Sequence, residues 1–256
     1  CKECYAWNTI SEIRVVSAKE SKKNDRFSGY AGETSGKVQA LSEISLQEVP
    51  RFSSGFNELD RVLGGGVVPG SAILIGGHPG AGKSTLLLQV MCGLSKEIPT
   101  LYVTGEESLQ QVAMRANRLG LPTEHLKMLS ETSVEHICNI ADQEKPKIMV
   151  IDSIQVMHLS DIQSSPGSVS QVRECASFLT RYAKTRQVAI IMVGHVTKDG
   201  TLAGPKVLEH VIDASLLLEG ESDSRYRTLR SQKNRFGAVN ELGVFAMTEQ
   251  GLREVK

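Results

Sequence analysis

The sequence predicts an α/β fold: a mostly parallel, twisted sheet with helices on both faces, ending in antiparallel strands. Three features predict it. Short, wholly apolar runs alternate with longer stretches of helical spacing. A glycine-rich segment, Gly77 to Gly82, joins the first such run to the first long helix. The C-terminal part carries strand-like runs with no helix between them.

In chain order, Gly55 to Leu63 has helical apolar spacing at Phe56, Leu59 and Leu63, and Gly64-Gly65-Gly66 stops it. Then follow a strand at Ala72 to Ile75, a helix from Lys83, a strand at Leu101 to Thr104, and helices over Ser108 to Leu119 and Val134 to Glu144. Next come a strand at Ile148 to Asp152, a long helix over Val169 to Arg186 and a strand at Val188 to Val193. Buried on both faces, such strands read as continuous apolar runs rather than alternating ones. Ala214 to Glu219, Tyr226 to Ser231 and Gly243 to Met247 are the closing strands, expected to be antiparallel additions. Met157 to Ser168 and Thr197 to His210 lack periodicity and follow strands at the end where open α/β sheets bind ligands, so both are candidate working loops. Either reads equally well as an ordinary surface connection.

With 256 residues, 40% of them apolar, the chain can bury a full core, and its length suggests one large domain with an appendage. The formal charge of +0 advertises neither a nucleic acid nor a membrane, so any DNA contact must come from local basic patches or from patches summed around an oligomer. The longest apolar runs are too short to cross a bilayer, and no secretory signal is visible. Five cysteines, with Cys92, Cys138 and Cys175 scattered singly, make no disulfide framework and favour a reducing cytosol. The start at Cys1 reads as a fragment or processed form with sequence missing upstream. Lys19 to Leu46, rich in Ser, Gly, Lys and Glu, reads as a tether.

Gly77-His78-Pro79-Gly80-Ala81-Gly82-Lys83-Ser84, with Thr85 next, matches G-x-x-x-x-G-K-[ST] between a strand and a helix. Glycines let the backbone wrap so that its N–H groups point at phosphates, and the helix adds its positive end. Lys83 supplies a flexible charge for the β- and γ-phosphates of ATP, or the β-phosphate of ADP, and Ser84 a hydroxyl for Mg²⁺. Asp152, ending an apolar strand, fits the second acid that holds Mg²⁺, although an Asp there is also a common turn former.

Gly105-Glu106-Glu107 follows the strand ending at Thr104. Glu106 would lie near the γ-phosphate, oriented to activate water, if that strand neighbours the one before Gly77. Glu107 is expected to turn outward or cap a helix. His195, at another strand end, reads as a γ-phosphate sensor or as a structural histidine.

Further motifs identify a family. Cys1-Lys2-Glu3-Cys4 leading to Trp7-Asn8-Thr9, Glu58-Leu59-Asp60-Arg61-Val62-Leu63-Gly64-Gly65-Gly66, the phosphate loop, Val103-Thr104-Gly105-Glu106-Glu107-Ser108, Leu202-Ala203-Gly204-Pro205-Lys206 and Lys233-Asn234-Arg235-Phe236-Gly237 together resemble the bacterial RadA (Sms) family of RecA-type recombination and repair ATPases. The resemblance spans essentially the whole chain, and the last pentapeptide is the family's signature. It implies a RecA-like P-loop NTPase core and a homo-hexameric ring that hydrolyses ATP on single-stranded DNA. It also implies helicase-like branch migration of recombination intermediates, with the RecA recombinase as a further partner.

By the same resemblance, Lys233 and Arg235 would reach the ATP of a neighbouring subunit, where a cation delivered in trans offsets charge developing on the γ-phosphoryl group. A basic pair at a strand end reads otherwise as a solvated edge that discourages sheet pairing. Lys198 and Lys206 would face a DNA channel, and round a ring they would form a positive collar. Relatives carry a four-cysteine zinc finger. Here only Cys1 and Cys4 remain, a half-site that would bind Zn²⁺ if an upstream pair is present. The implied organisation is residues 1–18 as the zinc-finger remnant, 19–46 as linker and 47–256 as the ATPase domain, with a Lon-like domain expected beyond. Competing readings are a nucleotide-controlled switch similar to the circadian-clock ATPases and a filament-forming strand-exchange protein.

Overall fold

The computed structural model describes residues 40, 42, 50–196, 208–220 and 224–255. Its elements are α1 (Asn57–Val62), β1 (Ala72–Gly77), α2 (Lys83–Leu94), β2 (Thr100–Thr104), α3 (Leu109–Arg118), β3 (Lys127–Ser130), α4 (Val134–Glu144) and β4 (Ile148–Asp152). After a 3₁₀ turn at Ile154–Val156 come α5 (Val169–Arg186), β5 (Ala189–His195), β6 (Ala214–Glu219), β7 (Tyr226–Asn234), β8 (Leu242–Thr248) and β9 (Gly251–Glu254). Among the described residues the strands form one sheet in the order β3-β2-β4-β5-β1-β6-β7-β8-β9.

The order fails one condition and corrects one expectation. Strand β2 is not beside β1: β4 and β5 lie between them. The closing additions also begin one strand later than expected, because β6 pairs parallel to β1 while β7, β8 and β9 are antiparallel. A parallel strand cannot be reached through a tight hairpin, which is why β6 does not begin the antiparallel additions. Strands β3 and β9 carry no long apolar run. They form because an edge strand needs only one pairing partner.

Side-chain alternation along the central strands feeds two cores. Ile73, Ile75, Val150 and Ile191 pack with α1, α2 and α3 on one face, and Leu74, Met149, Ile151 and Ile190 with α4 and α5 on the other. Both faces being covered explains the unbroken apolar runs. The antiparallel strands are covered on one side only: Leu229, Phe245 and Leu252 join the first core, while Arg230 and Leu242 are exposed.

Serines start three helices. Ser108 and Gln111 form a reciprocal capping box on α3, and the hydroxyls of Ser133 and Ser168 accept N–H groups of α4 and α5. The segment 157–168, a candidate working loop, is tied down by one buried side chain. Gln171 accepts the Leu159 N–H and donates to the carbonyls of Ile162 and Ser164.

Candidate functional site

The phosphate loop leaves the carboxyl end of β1 and enters α2. Gly80 (φ 81°) and Gly82 (φ 104°) take the left-handed conformation that glycine adopts without strain. Gly77 is required for a different reason: a Cβ there would stand 2.4 Å from the Leu218 carbonyl oxygen of β6. Lys83, 4% exposed, donates from Nζ to the carbonyls of Gly77 (2.7 Å) and His78 (3.0 Å). Burial pulls its pKa down, and the carboxylates of Asp152 and Glu106 pull it back up. Pro79 directly precedes Gly80, and Thr85 follows Ser84 in the first turn of α2.

Parallel pairing brings the other predicted groups to the same end of the sheet. Gly77 is level with His195 on β5, and Asp152 on β4 is level with Thr104 on β2. Asp152 is buried, 6% exposed, accepting from the Tyr102 hydroxyl at 2.6 Å and from Ser84. Burial pushes its pKa up against those two hydrogen bonds, and burial beside Asp152 raises that of Tyr102 as well. A buried carboxylate touching the phosphate-loop serine is a donor set that fits Mg²⁺, an oxygen-seeking cation.

Glu106 reaches this end despite the separation of β2 from β1. Its Oε1 accepts from the Ser153 hydroxyl, directly after β4, and lies 3.1 Å from His195 Nε2. The hydrogen bond from His195, then that from Ser153, holds its carboxyl below the ordinary value against burial. Glu107 turns away and pairs with Arg115. The Nδ1 of His195 is buried without a partner among the described residues, and the His195 carbonyl accepts from Gln155 at 3.4 Å.

Lys83, Ser84, Asp152, Glu106 and His195 are thus brought together. Lys233 and Arg235 are not. Lys233 is near the end of β7 and Arg235 directly follows it; β7 runs antiparallel to β6, so both stand beside the start of β1, one strand length from the phosphate loop. Lys198, Lys206, Cys1 and Cys4 lie outside the described residues. Sequence reasoning missed Ser153 and Tyr102. Tyr102 carried a readable signal: a hydroxyl in an otherwise apolar buried strand must find a partner. Ser153 carried none beyond its place after Asp152.

No helix among the described residues is long and apolar enough to cross a membrane. The chain is similar to several proteins named DNA repair protein RadA. It is 84% identical to that of Haemophilus influenzae and 74% identical to that of Escherichia coli K12, each over all 256 residues and 56% of the relative's length. To that of Bacillus subtilis it is 48% identical over the same shares. The chain therefore spans about half the length of these relatives, and the RadA resemblance read from its motifs holds along all of it. The profile of the AAA domain family matches residues 41–201. With its phosphate loop, acid-bearing strand ends and mostly parallel sheet, the chain belongs to the AAA domain family of P-loop ATPases.

Proposed function

We propose that this chain is the motor portion of a DNA repair protein, hydrolysing ATP on single-stranded DNA as a hexameric ring and driving helicase-like branch migration of recombination intermediates. The supporting observation is the convergence of Lys83, Asp152 and Glu106, one cation and two carboxylates, at the carboxyl ends of β1, β4 and β2. Similarity to proteins named for DNA repair selects DNA as the polymer.

Loop residues Gly77, His78, Pro79, Gly80, Ala81 and Gly82 would wrap the phosphates with their backbone, and Lys83 would exchange its loop carbonyls for phosphate oxygens. Thr85 would bind the nucleotide beside them, and Ser84 and Asp152 would hold Mg²⁺, which would screen the charge of the β- and γ-phosphates. Glu106 orients the attacking water and takes its proton, and His195 senses the γ-phosphate. Lys233 and Arg235 act on the nucleotide of a neighbouring subunit, which makes hydrolysis depend on assembly. Lys198 and Lys206 line a DNA channel, with affinity falling steeply as salt rises. Residues 47–256 form the ATPase unit, 19–46 the tether and 1–18 the zinc-finger remnant, whose Cys1 and Cys4 bind Zn²⁺ together with an upstream pair. RecA recombinase is the protein partner and the cytoplasm the compartment.

The test is ATP hydrolysis with and without single-stranded DNA, run alongside molecular mass in solution. The expected result is a ring-sized species whose hydrolysis rises with DNA and falls by at least about 100-fold in Lys83→Ala. A rate indifferent to DNA would replace this reading with that of a nucleotide-controlled switch.

A further inference from the structure

One buried acid outside the phosphate site is bound by two cations, one of them half exposed. Asp213 directly precedes β6 and is 1% exposed. Its Oδ2 accepts from Lys184 Nζ of α5 at 2.7 Å and from the N–H of Ala72, the first residue of β1, at 2.9 Å. Those two contacts already satisfy one oxygen of a buried carboxylate. Its Oδ1 takes the Nη1 of Arg235 at 3.1 Å. The backbone repeats the link, with the Arg235 N–H donating to the Asp213 carbonyl at 3.0 Å and the Asp213 N–H to Ala72 at 2.8 Å.

Arg235 is held by one corner and is otherwise outward. Its side chain is 46% exposed, and a guanidinium has five N–H donors, of which the Asp213 contact takes one. Lys233 beside it is fixed by different means, donating to the carbonyls of Ile212 (2.7 Å) and Glu209. Burial and the nearby Arg235 lower the Lys233 pKa, opposed by the carboxylates of Asp213 and Glu209. Two long cationic side chains, normally mobile, thus have their charged ends tied at one surface.

The register says which anion they can meet. Asp213 is tied to the start of β1, and the phosphate loop leaves its end, so at about 3.3 Å per residue one chain's Arg235 lies roughly 17 Å from its own phosphate loop. Each β1 therefore joins two half-sites, a nucleotide cradle at one end and a cation mount at the other.

We propose that Asp213 is the positioning residue that pre-sets Arg235 for the terminal phosphate of a nucleotide bound to a second copy of this chain. The proposal rests on the trans role given above to Lys233 and Arg235. Asp213 itself touches no nucleotide. It acts by holding the guanidinium in the orientation the neighbour meets, so that no rotamer search precedes each turnover.

Co-assembled variants of the full chain separate this role from a structural one. Lys83→Ala chains cannot use their own nucleotide but still present Arg235; Arg235→Ala chains keep an intact cradle but present no guanidinium. Mixed together, they recover hydrolysis if the cation acts in trans. Adding Asp213→Asn to the Lys83→Ala partner is expected to lower the recovered kcat by about 10- to 100-fold with KM for ATP unchanged. Adding it to the Arg235→Ala partner, where it has no arginine left to place, is expected to change kcat by less than about 2-fold. Asp213→Glu keeps the charge and serves where the asparagine variant does not fold. It should show the same asymmetry with a smaller loss. Equal losses in both partners, or no loss in either, would overturn the positioning role. Failure of the Lys83→Ala and Arg235→Ala chains to complement at all, with the unsubstituted chain active, would instead remove the trans reading on which it stands.

Discussion

His195 Nε2 lies 3.1 Å from Glu106 Oε1, although the two residues leave strands β5 and β2, which are separated by β4. Ser153, from the end of that intervening strand, donates to the same carboxylate oxygen. Three consecutive strand ends therefore converge on one group. The carboxylate selects the histidine tautomer in which Nε2 is the donor.

This convergence predicts a pH dependence. Hydrogen bonds to the ionised form hold Glu106 below its usual value of 4.5, that from His195 contributing most. The acid limb of kcat for ATP hydrolysis should then fall below the ordinary glutamate range. His195→Ala removes the largest lowering influence, so the carboxyl pKa rises and the acid limb moves to higher pH. Ser153→Ala should move it in the same direction by less. A kcat profile across the acidic range checks both, and a limb moving to lower pH in either variant would contradict the assignment.

Glu106→Gln preserves the shape of the side chain and its contacts with Ser153 and His195 while removing its capacity to take a proton. The expected loss in kcat is about 10²- to 10⁴-fold, with nucleotide affinity within a few-fold of the unsubstituted chain. Single-turnover hydrolysis and equilibrium nucleotide binding, measured side by side, distinguish this from a general failure of the site.

Most of the sheet was legible because strands buried on both faces must be apolar at every position. Ile148 to Ile151 and Val188 to Val193 could hardly be anything else. Strand order was not legible. Nothing in Leu101 to Thr104 says that β4 and β5 intervene before β1, and adjacency was the condition attached to Glu106. The carboxylate still arrives because a parallel sheet brings all its carboxyl ends to one edge, whatever the order. Edge strand β3, with only its two middle positions partly buried, had no pattern to read. Asp213 was equally invisible, since its partners lie 29, 141 and 22 positions away at Lys184, Ala72 and Arg235.

Glu131 predicts an acid-sensitive stability. Its carboxylate accepts the N–H groups of Ser133 (3.0 Å) and Thr132 (2.7 Å) and lies 2.5 Å from His136 Nδ1. These contacts bring its pKa from 4.5 down to about 2. Between those values the unfolded chain binds more protons than the folded one, so this contribution is complete above 4.5 and is lost as the pH falls toward 2. The site is partly exposed, which trims the effect. Glu131→Gln should cost about 1–3 kcal/mol at neutral pH. Urea unfolding of both forms at several pH values should show the difference shrinking with acid, and a constant difference would mean that charge is not its source.

The last glycine of the signature predicts a stability effect of opposite sign to that of another glycine. A Cβ on Gly237 would stand 2.8 Å from the Gly64 Cα, and one on Gly64 would stand 3.0 Å from the Gly237 Cα. The two backbones touch because Arg51 bridges them, donating to the Gly64 carbonyl at 2.6 Å and the Phe236 carbonyl at 2.9 Å. Neither obstacle is a flexible side chain that could swing aside. Gly237→Ala must therefore push the end of the signature off the glycine turn, at a cost of about 1–3 kcal/mol. Arg235 lies two residues earlier, so on the trans role proposed above hydrolysis should fall along with the melting temperature. Gly93, by contrast, lies inside α2 with nothing within 4 Å of an added Cβ. Gly93→Ala should stabilise by about 0.5–1 kcal/mol, because glycine in a helix costs that much entropy relative to alanine. Thermal unfolding of the two variants should bracket the unsubstituted chain. A Gly237→Ala variant as stable as the parent would mean that the signature is not seated on the glycine turn.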